Sequence, residues 1–479
     1  MNRSIRRLYL TLAGGFALLL LMLGYWQVVD ASELRDRPGN PQTLQAEKLI
    51  DRGKIISADG QVLATTRARR VNGQKVFERV YPHGTLAPHV VGYSSEREGK
   101  TGIEATYNRY LTGSFGTEPL LQRLNLKEKA WADVRLSLDT RVQEVAEEAL
   151  GDQRGAVVAI DPRTGQVIAM ASNPGFDLSK VATGFSQIAS QQGSPLLNRA
   201  VQGRYPPGST FKVVTATSAL DSGEYTPDTE FPGGSVYETP GGPIRNFGNQ
   251  SFGPHTLTTA LTHSINTTFA TIGDALGAER LGATMSAFGF GKRPPIDLPD
   301  VEVSGRRSSD NKILPNDQEG EDTARIAIGQ EQLTVTPLQM AMVAGAIANG
   351  GKLMAPRLME SITDRGGSVV QRSDPQEIGQ VTSPENAAAM TRMMEDVVRE
   401  GTGTAAALSS TGVTVAGKTG TAETDDPEKN QAWFIGFAPS DDPRVAVAVV
   451  VEDTPSEGGT VAAPIAAQVM RAALEAKNP

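Results

Sequence analysis

Two strand-like runs, Gly155–Asp161 and Gln166–Ser172, stand far ahead of three others, Thr414–Thr421, Ala432–Phe437 and Val445–Val451. All are short, and four are rich in Val, Ile, Ala and aromatic residues, the pattern of buried strands; Thr414–Thr421 is more polar. Pro162-Arg163-Thr164-Gly165 joins the first two as a tight turn and makes them an antiparallel hairpin. Runs so far apart in the chain share one sheet only if the stretch between them is an insert. That stretch reads as helical at Val213–Leu220, Leu257–Leu276 and Thr336–Asn349, with Pro337 suited to a first turn. A last helix is expected over Ala463–Ala476. The expectation is an α+β fold, a five-stranded antiparallel sheet packed with helices.

The N-terminal part is different. Leu8–Val29 is apolar except for Thr11 and Gln27, and a run of about 20 such residues can cross a bilayer. Arg3, Arg6 and Arg7 precede it, and Asp30, Glu33 and Asp36 follow. That asymmetry predicts a single-pass anchor in the cell membrane, with the N-terminus cytoplasmic and the remainder extracytoplasmic. The run exceeds the apolar core of a cleaved signal peptide, and no small-residue cleavage site follows. Next comes a mixed stretch with a hairpin signal at Asp59-Gly60 and helix-period residues over Gly102–Leu111. Asp139 caps a predicted helix that runs through Leu150. The chain of 479 residues thus divides into a tail (1–7), an anchor (8–29), an irregular pedestal or dimerisation-like domain (30–150) and the large domain (151–479).

Composition narrows the chemistry. A chain with 0 Cys has no thiol nucleophile, disulfide or thiolate metal site. The four histidines, His83, His89, His255 and His263, have no metal-binding spacing and read as surface or loop residues. A net charge of −8 argues against nucleic-acid binding. No metal or organic cofactor is implied.

Three short motifs carry chemistry. Pro206-Pro207-Gly208-Ser209-Thr210-Phe211-Lys212 sets a serine three residues before a lysine at the head of a helical run. Positions i and i+3 share a helix face, so hydroxyl and amine can meet. A serine becomes a useful nucleophile only when a base takes its proton. A lysine can be that base once burial or a second cation lowers its pKa. Ser264-Ile265-Asn266 lies between two helical halves, and Lys418-Thr419-Gly420 lies on a strand. Each motif is ordinary alone; their order on these elements is not.

The set resembles the signature of the penicillin-recognising serine enzymes, penicillin-binding proteins and serine β-lactamases. The resemblance implies that Ser209 is the acylated nucleophile and Lys212 its base. It implies that Ser264 relays a proton to the leaving amine and Asn266 holds the substrate amide. Lys418, Thr419 and Thr421 would bind the substrate carboxylate, and Gly420 would let substrate lie against the strand. The N–H groups of Ser209 and Thr421 would form the oxyanion hole.

The whole chain is similar to class B penicillin-binding proteins, of the compact actinobacterial type called penicillin-binding protein A. Arg52-Gly53, Gly102-Ile103-Glu104, Leu136-Ser137-Leu138-Asp139, Tyr205-Pro206-Pro207-Gly208, Ile328-Gly329-Gln330 and Ala432–Phe437 carry this likeness. The family usually has glycine where this chain has Glu331. The implied activity is peptidoglycan D,D-transpeptidation on stem peptides, with β-lactams as acylating inhibitors. A separate membrane glycosyltransferase of the shape-elongation-division type is the implied partner. Alternatives are a D,D-carboxypeptidase, a secreted β-lactamase, a β-lactam sensor and a non-catalytic wall-synthesis scaffold.

Overall fold

The computed structural model describes residues 3–26, 49–113, 131–320, 322–408, 411–422, 426 and 429–476. Helix α1 (Arg3–Gly24) has 22 residues, none of them buried. Its length of about 33 Å is enough to cross a hydrocarbon core. It starts at Arg3 instead of Leu8. Gln27 to Val29, with Asp30, Glu33 and Asp36, lie outside the described residues.

The pedestal contains β1 (Ile55–Ile56), β2 (Val62–Val71), β3 (Gln74–Val80) and β4 (Ala132–Leu136). The β1–β2 hairpin forms around Asp59-Gly60 as expected, with Gly60 at φ +89°. A second, longer hairpin joins β2 to β3 through Asn72-Gly73, both at positive φ. Helix α2 (Thr140–Leu150) follows, and the Asp139 side chain accepts from the Arg141 N–H as its cap.

The catalytic half opens with β5 (Gly155–Ile160) and β6 (Val167–Asn173). Helices α3 (Lys212–Asp221), α4 (Leu257–Thr262), α5 (Asn266–Ala287) and α6 (Pro337–Ala348) form the helical framework of the first part of the insert. Two strands come next, β7 (Met359–Asp364) and β8 (Val369–Arg372), then helix α7 (Pro384–Arg399). The chain finishes with β9 (Ala416–Ala422), β10 (Asn430–Ala438), β11 (Val445–Thr454) and α8 (Ala462–Ala476).

The five expected strands do form one antiparallel sheet, in the order β9-β10-β11-β5-β6. Side chains alternate across it. Ala156, Val158 and Ile160 share a core with α6, while Val157 and Ala159 share one with α2 and α8. Both faces are buried, so β5, β6, β10 and β11 read as largely apolar runs, while β9 carries the polar motif. The motif strand β9 is an edge.

A second sheet has six strands, in the order β8-β7-β4-β1-β2-β3. The pedestal is therefore more regular than its composition suggests. It also borrows β7 and β8 from beyond residue 150, with Leu136 paired to Met359. Conversely, α2 packs on the catalytic sheet. Two histidines differ from expectation. His89 and His255 are buried, and both ring nitrogens of His255 are engaged, Nδ1 with the Gly253 carbonyl and Nε2 with Thr268 Oγ1.

Candidate active site

Ser209 sits on the 3₁₀ turn Gly208–Phe211 that runs directly into α3. In such a turn residues three apart eclipse each other, so Ser209 stands over Lys212. The turn is clamped from several sides. Gly208 N–H donates to the Gly329 carbonyl at 3.0 Å, and Trp433 Nε1 donates to the Pro206 carbonyl at 3.0 Å. The Tyr205 ring meets Trp433 edge-on at 5.9 Å. Gly208 adopts φ +51°, and a Cβ there would lie 2.8 Å from the Thr421 carbonyl oxygen. Only glycine lets the turn approach β9 this closely. Ser209 is half-buried, and among the described residues its hydroxyl makes no hydrogen bond.

Lys212 is fully buried. Its Nζ donates to the Ser264 carbonyl at 2.7 Å and to Asn266 Oδ1 at 2.6 Å, and lies 3.2 Å from Ser264 Oγ. Lys418 is fully buried too, and its Nζ lies 3.0 Å from the same Ser264 hydroxyl. Ser264 therefore bridges the two amines, held in the left-handed region at φ +58°. A non-glycine residue there is strained, a condition that clusters at functional sites. Burial pushes the Lys212 amine well below its ordinary pKa, and the neighbouring Lys418 pushes it further. Burial alone brings Lys418 down to about 7. Desolvation, more than the second cation, thus supplies the neutral amine. The Phe269 ring, 5.4 Å from Lys212 Nζ, works weakly in the opposite direction.

The strand motif adds hydroxyls at the sheet edge. Thr419 Oγ1 is 2.5 Å from Thr402 Oγ1, and Thr421 Oγ1 accepts from the Gly458 N–H at 3.4 Å. A Cβ on Gly420 would come within 2.9 Å of Thr210 Cγ2 and 3.0 Å of the Pro207 carbonyl. The missing side chain at 420 admits the nucleophile's own turn, a different reason from the one the sequence suggests. Thr402 escapes the sequence reading because Gly401-Thr402-Gly403 looks like any loop after a helix. The Arg245 carbonyl, which accepts from Asn266 Nδ2 at 2.8 Å, escapes it as well.

The four catalytic candidates and the four substrate-binding ones therefore converge. Residues 155–471 match the profile of the penicillin-binding protein transpeptidase domain. The chain belongs to the penicillin-binding protein transpeptidase family. Residues 52–126 also match the penicillin-binding protein A dimerisation domain. The peptidoglycan D,D-transpeptidase PbpA of Mycolicibacterium smegmatis is 34% identical over 99% of both chains. A D,D-transpeptidase domain from Eggerthella lenta shares 37% identity and superposes with a TM-score of 0.78 over 89% of this chain and 98% of that one. Penicillin-binding protein A of M. tuberculosis, solved as a ceftriaxone acyl-enzyme, is 31% identical with a TM-score of 0.79, covering 90% and 100%.

The other family-like segments of this penicillin-binding protein have structural work. Arg52 Nη2 and Arg79 Nε grip the fully buried Glu104 at 2.6 and 2.5 Å. Burial would raise the Glu104 pKa, but the two guanidiniums outweigh it and hold the carboxyl below its usual range. Glu331 stands where the family usually has glycine, and it does adopt φ +59°.

Proposed function

We propose that this penicillin-binding protein is a peptidoglycan D,D-transpeptidase working through an acyl-enzyme on Ser209. The observation that carries this reading is the pair of buried amines, Lys212 and Lys418, at 3.2 and 3.0 Å from one hydroxyl, Ser264 Oγ, beside an unengaged serine. Neutral Lys212 takes the Ser209 proton as Oγ attacks the penultimate D-alanine carbonyl. The N–H groups of Ser209 and Thr421 receive the developing oxyanion. One such donor contributes roughly 3–4 kcal/mol to barrier lowering. The proton then passes through Ser264 to the departing D-alanine amine. Asn266 steers the donor amide. Charged Lys418, with the Thr419 and Thr421 hydroxyls, receives the terminal carboxylate; the Gly458 N–H occupies a lone pair of Thr421 and leaves its O–H free to donate. An acceptor amine, losing a proton by the reverse route, resolves the acyl-enzyme into a cross-link. β-Lactams enter the same path and stop at acylation. The edge position of β9 suits an extended peptide, which can add as a further strand.

The reading extends to the cell. Helix α1 anchors the chain in the cell membrane with its arginines inside. The pedestal, residues 30–150, lifts the catalytic half and meets a membrane glycosyltransferase of the shape-elongation-division type. Intact-mass measurement after benzylpenicillin treatment tests the centre of this proposal. One adduct is expected on the wild-type chain and none on Ser209→Ala. A normal adduct on Ser209→Ala rejects it. Supplying an amine acceptor and water in competition separates transpeptidation from carboxypeptidation.

A further inference from the structure

We propose that the pocket beside Asn266 receives the donor-peptide residue preceding the D-Ala–D-Ala unit, and that Arg245 selects a side chain there ending in a free carboxylate. This rests on the acyl-transfer reading of Ser209 and extends it to substrate choice. The pocket has a volume of about 390 Å³. Two of its walls are tied to the nucleophile. Asn266 is bonded to Lys212 at 2.6 Å. Ile328 and Gln330 flank Gly329, whose carbonyl accepts from the Gly208 N–H at 3.0 Å. A donor whose terminal carboxylate lies toward Lys418 therefore runs its acyl half past Asn266 and into this space.

The charge of the lining decides what fits. Among the described residues no carboxylate lines the pocket, and two arginines do. Arg325 is already neutralised. Its Nε is 3.2 Å from Asp322, and its Nη2 donates to the Gly241 and Gly242 carbonyls at 2.8 and 2.9 Å. Arg245 is exposed and, among the described residues, makes no ion pair. Its backbone is fixed to the site through the Asn266 bond, so the cation is held close by while its guanidinium stays open. Phe247, 64% exposed on the same rim, offers an apolar face to the aliphatic part of a side chain. A carboxylate gains a charge-assisted, two-pronged partner here. A carboxamide loses the charge, and an ammonium is repelled.

The test compares synthetic donors that differ only at that residue, with a side chain ending in carboxylate, carboxamide or ammonium. With the full chain in detergent, kcat/KM is expected to fall in that order, the carboxylate leading the carboxamide by about five- to tenfold. Arg245→Gln is expected to erase this ratio and Arg245→Lys to restore part of it. Equal rates for carboxylate and carboxamide donors on the wild-type chain overturn the assignment. So does an unchanged ratio in Arg245→Gln protein that still labels with benzylpenicillin. Failure of the wild-type chain to label at all rejects instead the nucleophile reading beneath it. Should Arg245→Gln not fold, the wild-type donor series and Arg245→Lys still decide.

Discussion

Two buried amines that share one hydroxyl cannot both carry charge at low cost, and this governs the pH behaviour of the site. Lys212 sits well below the ordinary lysine range because of burial first and Lys418 second, while burial brings Lys418 to about 7. The two must do opposite things: Lys212 acts when neutral, Lys418 when charged. Acylation by benzylpenicillin should therefore slow on the acid side as Lys212 gains a proton. It should also slow on the alkaline side, starting near the Lys418 value of about 7, as the carboxylate-attracting charge is lost. A bound carboxylate pulls that limb upward. Stopped-flow acylation rates across pH 5–9 check this, and Lys418→Arg, which cannot lose its charge, should remove the alkaline limb. A flat profile for the wild-type chain contradicts it. The residue types and their order were legible in the sequence because each motif is contiguous. Which force tunes Lys212 was not, because burial is a property of the assembled insert. Thr402 and Arg245 were invisible for a related reason: one reaches the site from a loop and the other from a two-residue strand, Ile244–Arg245, both too short to carry a periodic signal.

At the scale of elements, the site depends on how tightly the 3₁₀ turn sits against the edge strand β9. That contact is backbone on backbone, made possible by Gly208 and Gly420. Gly420→Ala would place its Cβ 2.9 Å from Thr210 Cγ2 and 3.0 Å from the Pro207 carbonyl. The turn must then move by a few tenths of an ångström or more. A misplacement approaching 1 Å at reacting atoms can cost about 10²-fold in rate. The expected result is a penicillin acylation rate lower by about 10- to 100-fold, with the thermal midpoint nearly unchanged, since the strand keeps its pairing to β10. An unchanged rate would show that the turn has slack. Four of the five catalytic strands could be read in advance because burial on both faces leaves them as plain apolar runs; β9 was legible through its Lys-Thr-Gly motif instead. Strand β8 could not, because Val369–Arg372 is exposed throughout and carries no core-facing pattern, and β7 could not, because it buries only Met359 and Ile362, a spacing of three that lacks strand alternation. Asn72-Gly73 and the Ser383-Pro384 start of α7 are different. Both are strong local signals, an I′-type turn pair and an N-cap followed by a first-turn proline.

At the scale of the molecule, the pedestal and the catalytic half are not two beads on a string. Strand β4 pairs with β7, and Asp297 accepts from the Leu358 and Met359 N–H groups at 2.7 Å and from the Tyr107 hydroxyl at 2.8 Å. Glu147 on α2 accepts from the Ala87 N–H at 2.8 Å across the same junction. The pedestal side of this junction is held by Glu104 between Arg52 and Arg79. Removing the carboxylate leaves two buried guanidiniums without their counter-charge, so Glu104→Ala should cost about 3–5 kcal/mol. The shared sheet turns this into a prediction about the distant site. Unfolding of the pedestal withdraws the partner of β7, which follows helix α6 of the catalytic half after the short strand Lys352–Met354. Loss of penicillin labelling and loss of pedestal structure should therefore coincide in one thermal transition, shifted down together in Glu104→Ala. The pH dependence follows from the lowered Glu104 pKa. Its contribution is fully present above the ordinary carboxylate range of about 4.3 and fades as pH falls through the depressed native value. Acid unfolding of the wild-type chain should accordingly begin below that range, and the Glu104→Ala variant should lose this limb. Circular dichroism and fluorescent-penicillin labelling, followed on the same samples, measure both. If labelling persists after the pedestal has melted, the six-stranded sheet does not couple the two halves, and the pedestal is a passive spacer.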